Sequence, residues 1–114
     1  MRLRALATAT ACGLAVLFAS APSASAAEGQ FTYLYNAPAG PAQLGVLTDP
    51  PSGMCLTLPE VAPEWTPAAH SPRNHTGSTA TVFTGPDCEG DWFSLRPHGG
   101  HASERLKLRS VVFS

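Results

Sequence analysis

The chain has 114 residues, with 7 Lys and Arg against 8 Asp and Glu and a formal net charge of −1 at pH 7. So short and evenly charged a sequence is expected to form one small domain, and it disfavours nucleic-acid binding. Four bases do gather between Arg96 and Arg109, but Glu104 and apolar residues dilute them below a clustered basic footprint.

Residues 1–26 read as a secretory signal peptide. Arg2 and Arg4 precede a mostly apolar run over 6–18, and Ala24-Ser25-Ala26 supplies the small-x-small pattern of a signal-peptidase site. The apolar run falls short of the roughly 20 residues of a spanning helix, so the mature form is expected to carry no membrane anchor. Cys12 does not mark a lipoprotein, because apolar sequence continues from Leu14 to Phe18, where a lipid-modified end would begin. Cleavage between Ala26 and Ala27 predicts an extracellular protein. Its five bases (Arg73, Arg96, Arg105, Lys107, Arg109) then face all eight acids, a net of −3.

Residues 27–114 are expected to form one small domain, whose thin core calls for a staple. Cys55 and Cys88 are the cysteines that remain, and in an exported chain such a pair is expected to be bridged. Closing a loop of this span contributes on the order of 3–4 kcal/mol in the chain-entropy model. A reactive thiol is the rival reading. Export favours oxidation, however, and no His/Asn motif accompanies either cysteine.

Along the chain, Phe31, Tyr33 and Tyr35 alternate as on a half-buried strand. Residues 36–42 hold two prolines and a glycine and read as a loop, followed by a short strand over 44–47. Asp49-Pro50-Pro51-Ser52-Gly53 breaks it. A strand is predicted over 54–58, with Met54, Leu56 and Leu58 on one face and Cys55 and Thr57 on the other, so that the disulfide leaves the sheet away from the apolar stripe. Residues 59–72 are predicted to be irregular, since four prolines at such spacing oppose a helix. This loop holds Glu60, Glu64 and Trp65. Trp65 is either an anchor for a partner or, the preferred reading, a cover folded back over an open edge of the core. Asn74-His75-Thr76 matches an N-glycosylation acceptor, but the alanine-rich leader looks bacterial, so an unmodified turn with an exposed His75 is expected.

The last third is predicted to be an antiparallel unit, with strands over 79–83 and 92–95, Phe93 and Leu95 sharing a face, and a turn at 84–87 before Cys88. Residues 97–102 read as a flexible loop. Leu106 and Leu108 share a face, as do Val111 and Phe113, but the parity changes across Arg109-Ser110. A regular strand cannot do that, so a bulge or a cross-over between sheets is required there.

Val82-Phe83, the run from Cys88 through Gly90, Asp91, Trp92 and Phe93 to Leu95, and Arg109-Ser110-Val111-Val112-Phe113 together resemble a βγ-crystallin Greek key motif. The likeness is to its small secreted bacterial, actinomycete-like members, and it covers residues 79–114. The resemblance implies an all-β fold, two Greek key motifs (about 31–76 and 79–114) packed as a small sandwich, the first divergent. Ser71 would close the first motif, and Asn74-His75-Thr76 would be its link to the second. Many microbial members bind calcium through an acidic pair. Here Arg105 and Leu106 stand in those places, Lys107 adds repulsion, and residues 68–71 of the first half lack acids, so no cofactor is expected.

Three functions are weighed. The first is a non-catalytic, monomeric binding protein, specifically an inhibitor of an extracellular protease or a ligand of another secreted or cell-surface protein. Its loop 59–72 would present Trp65 on a rigid scaffold. The second is a killer-toxin-like antimicrobial, or a structural or wall-associated protein; the net charge of −3 argues against membrane attack. The third is a metal-dependent enzyme using His98 and His101 with Asp91 or Glu104. His-Gly-Gly-His in a loop lacks the helical spacing of zinc proteases, and no acid pair defines a general acid/base couple, so a solvated loop is preferred and no enzyme is expected.

Overall fold

The computed structural model describes residues 25–37 and 40–114. The expected leader lies outside the described residues as far as residue 24. Among the described residues nine strands follow in order: β1 (Gly29–Asn36), β2 (Ala42–Thr48), β3 (Leu56–Thr57), β4 (Ala69–Thr76), β5 (Ala80–Phe83), β6 (Trp92–Leu95), β7 (Gly100–His101), β8 (Lys107–Leu108) and β9 (Ser110–Phe113). They form two antiparallel sheets. One has the order β2-β1-β4-β7, with β8 also pairing β4, and the other has the order β3-β9-β5-β6. Each sheet is therefore built mainly from one half of the chain and completed by the other half: β3 crosses into the second sheet, and β7 and β8 cross into the first.

The alternating aromatics of β1 build the core as their spacing predicts. Phe31 and Tyr33 are buried, and Phe31 meets Phe113 of the opposite sheet edge-on, with ring centroids 5.4 Å apart. Leu58, Val82, Leu95, Leu108 and Val111 fill the space around this pair. Tyr33 lies opposite Gly45 of β2, where any Cβ would run into the tyrosine ring. Glycine is thus required there by close approach, and the ring covers the gap that it leaves.

The parity change at Arg109 is a change of sheet. Lys107–Leu108 pairs β4 in the first sheet, whereas Ser110–Phe113 lies between β3 and β5 in the second. The hairpin before β6 folds back tightly: Pro86–Cys88 forms a 3-10 turn, and Asp87 and Cys88 both have φ of 57°. Ser110, fully buried, holds it down by donating to Gly85 O (2.6 Å) and accepting from the Cys88 amide (2.8 Å). Cys55 and Cys88 are bridged across a sequence separation of 33, with Cys55 at the surface.

Several expectations are corrected. The strand predicted over 54–58 is reduced to Leu56–Thr57, because the chain diverts at Cys55 towards Cys88 and leaves Met54 exposed. The irregular stretch predicted to reach Pro72 stops before Ala69, and the turn predicted at Asn74-His75-Thr76 is the end of β4. A bulge makes this possible. Thr32 pairs Arg73 and Leu34 pairs His70, so β4 carries one extra residue there, with Ser71 at φ 54°. A proline, which has no amide donor, is tolerated inside a sheet at such a bulge. Asn74 is fully buried and its side-chain amide donates to Ser78 O, Leu95 O and Arg96 O, at 2.8, 3.1 and 3.0 Å. The loop predicted over 97–102 is anchored as well: the His98 and Gly99 amides bond Thr76 O and Asn74 O, and Gly100–His101 pairs β4.

Candidate functional site

The stretch between β3 and β4 is poor in donors, because Pro59, Pro63 and Pro67 carry no amide hydrogen. Most of its carbonyls must therefore be satisfied by water or from outside the loop. Pro59–Val61 forms a single 3-10 turn with Pro59 in the first position, where a missing donor costs nothing, and Val61 is buried. Pro63 to Thr66 then makes a β-turn. The Thr66 amide donates to Pro63 O at 3.1 Å and its hydroxyl donates to the same oxygen at 2.6 Å. Glu64 and Trp65 are the two central residues of that turn.

The outside donor is Arg109. Its Nη1 donates to Val61 O (2.8 Å), Pro63 O (3.0 Å) and the Thr66 hydroxyl (3.4 Å). Its Nη2 donates to Glu64 O (3.2 Å) and Thr66 O (2.6 Å). A planar guanidinium with several fixed N–H directions suits a ring of carbonyls, where a lysine would present a single ammonium. The base of Arg109 is itself fixed: its amide donates to Phe83 O and its carbonyl accepts from the Leu58 amide, both at 2.8 Å. A residue in the last strand crossing thus pins a loop that lies some 45 positions earlier.

Trp65 stands out from this pinned turn with 80% of its surface exposed. The preferred sequence reading, that it folds back over the core, is therefore wrong. From the start of the same segment it is Leu58 and Val61, not Trp65, that are buried in the core. Glu64 is exposed beside it. Glu60 belongs to the scaffold: its carboxylate accepts from the Tyr33 hydroxyl at 2.7 Å. Burial first, and then the hydrogen bond and charge of Glu60, push the Tyr33 phenol well above its ordinary pKa, so it stays protonated and keeps donating.

The remaining sequence candidates lie apart from this loop. His101 Nδ1 faces Gly99 O at 3.0 Å, and His98 is exposed on the turn before β7. Among the described residues no group of three or more His, Cys, Asp or Glu side chains is placed to hold a metal ion. Arg105 and Leu106 form the turn into β8, with both amides bonded to Ser103. Sequence reasoning missed Arg109 as a functional support, because it read that position for charge, for strand parity and as part of the closing strand motif. The signal was present as a donor-poor proline loop with few local partners for its carbonyls. Comparison with protein-family models, with curated proteins and with solved structures yields no match.

Proposed function

We propose that this chain is a secreted, non-catalytic protein of the βγ-crystallin-like Greek key type, and that it inhibits an extracellular protease through residues 62–68. The observation that carries the reading is the Arg109 clamp under an exposed Trp65. A substrate-like inhibitor must keep its loop in one conformation, so that little entropy is lost on binding and a nicked loop does not drift away. Prolines on either side of the turn, carbonyls held from Val61 to Thr66 and an aromatic at the tip suit that task. The exchange of strands between the two halves supports the two-motif reading, and the disulfide suits the oxidising space outside the cell. The antimicrobial and structural alternatives gain no comparable feature.

The test is a panel of extracellular metallo- and serine proteases, assayed with the protein at micromolar excess. Slowed hydrolysis by at least one protease, relieved by Trp65→Ala, is expected. Unchanged rates across the panel overturn the reading, and a growth assay against yeast and competing bacteria then takes up the antimicrobial alternative.

A further inference from the structure

β6 ends the second sheet, and its outer edge is free among the described residues. The Thr84 amide donates to Asp91 O, which makes 84 and 91 a hydrogen-bonded pair. By the alternation of an antiparallel ladder, the pairs 82/93 and 80/95 are bonded likewise. The N–H and C=O groups of Trp92 and Ser94 therefore point away from β5. Edge strands are commonly blunted by proline, by a bulge or by an inward charge. β6 has none of these: it reads Trp-Phe-Ser-Leu, with Trp92 67% and Phe93 49% exposed.

Phe93 divides two grooves. One, of about 220 Å³, is lined by the apolar Val82 and Leu106 together with Arg105 and Lys107. The other, of about 290 Å³, lies along Leu95 and is bordered by Arg96 and His101. Three of the five bases in residues 27–114 thus line the two grooves. Asp91 is the one acid lining either, although acids outnumber bases over the same stretch.

We propose that the free edge of β6 takes an extended acidic peptide segment as an added strand, its carboxylates four residues apart and one in each groove. Residues across from one another in a sheet share a face, so the positions beside Asp91 and Leu95 flank the one beside Phe93; they are i and i+4 of the added strand, roughly 13 Å apart. The charge selects this occupant over a second copy of the chain, which would bring the same bases to the same edge.

The probe is a fluorescein-labelled heptapeptide alternating valine and glutamate, titrated with the oxidised protein and read by polarisation. Its valine–lysine counterpart and a version N-methylated on alternate amides serve as controls. Saturable binding is expected, weakened by salt and about tenfold or more weaker for the lysine peptide. Arg105→Glu with Lys107→Glu should lower affinity for the glutamate peptide to a similar extent. Ser94→Pro removes an outward amide that the fold does not use, so it should abolish binding while leaving the circular dichroism spectrum unchanged. If that variant fails to fold, the N-methylated peptide makes the same test. Equal binding of both charge types, no binding up to millimolar peptide, or indifference to N-methylation overturns the proposal. So does a concentration-dependent dimer that Ser94→Pro dissolves, since it assigns the edge to a second copy.

Discussion

Replacing Arg109 with alanine removes every outside donor described for the loop carbonyls. The two short, partly buried bonds, to Val61 O at 2.8 Å and Thr66 O at 2.6 Å, carry most of the effect. Each contributes about 1–1.5 kcal/mol net, the low end for a charged donor, because both bonds are only partly buried. The carbonyls of Pro63 and Glu64 are exposed and rehydrate, adding little. The expected loss is thus about 2–3 kcal/mol, a large share of the roughly 5–15 kcal/mol of a small domain but short of unfolding it. Arg109→Lys keeps the charge without the fork and should lose about half as much. Urea unfolding gives the free energy. In a Trp92→Phe background, Trp65 anisotropy and exchange of the Thr66 amide report the loop itself. Arg109→Ala within about 0.5 kcal/mol of the parent, with the Thr66 amide equally protected, would refute the clamp.

Three further outcomes follow from the same structure. Reducing Cys55–Cys88, or replacing both cysteines with serine, should cost about 3–4 kcal/mol, read as a fall in melting temperature with added dithiothreitol. Tyr33 has a folded-state pKa above its unfolded value of about 10. Its contribution is therefore complete below about pH 10 and is lost as pH rises further, and Tyr33→Phe should flatten the alkaline limb of stability against pH. Asn74→Asp would aim a carboxylate at three carbonyls in a buried site. That raises its pKa in the folded state, so the variant should be destabilised at every pH, and more so as pH rises above about 4.

The fold class was legible because period-two patterns are local. Phe31, Tyr33, Val111 and Phe113 announce their inward faces within a few residues, and the parity break at Arg109 announces a change of sheet. What proved illegible depends on partners remote in sequence. Pro72 and Asn74 look like breakers, but a bulge absorbs the proline, and two of the three carbonyls that satisfy the asparagine amide lie some twenty residues on. The same holds for the site. Trp65 and its proline-rich setting stood out in the sequence, whereas Glu60 resembled a loop acid until Tyr33 was placed beneath it. Trp92 and Phe93 were read as strand residues, and their exposure follows only from β6 being the last strand of its sheet.

The strand order also separates the two proposed surfaces. The pinned loop leaves the second sheet just after β3, and the peptide-binding edge is β6; the sheet runs β3-β9-β5-β6, so they lie at opposite edges. Three strand spacings put those edges about 14 Å apart, beyond the 7–10 Å within which substitutions usually couple. What joins them is the frame: Arg109 enters β9 from its crossing, and β9 pairs both β3 and β5. If the frame is rigid, occupancy of one surface leaves the other unchanged. Trp65→Ala and Ser94→Pro should then act additively on stability, to within about 0.5 kcal/mol, and each should leave the other surface's binding intact. Coupling well above that figure would mean that β9 and β5 shift together, and that the loop and the edge form one site rather than two.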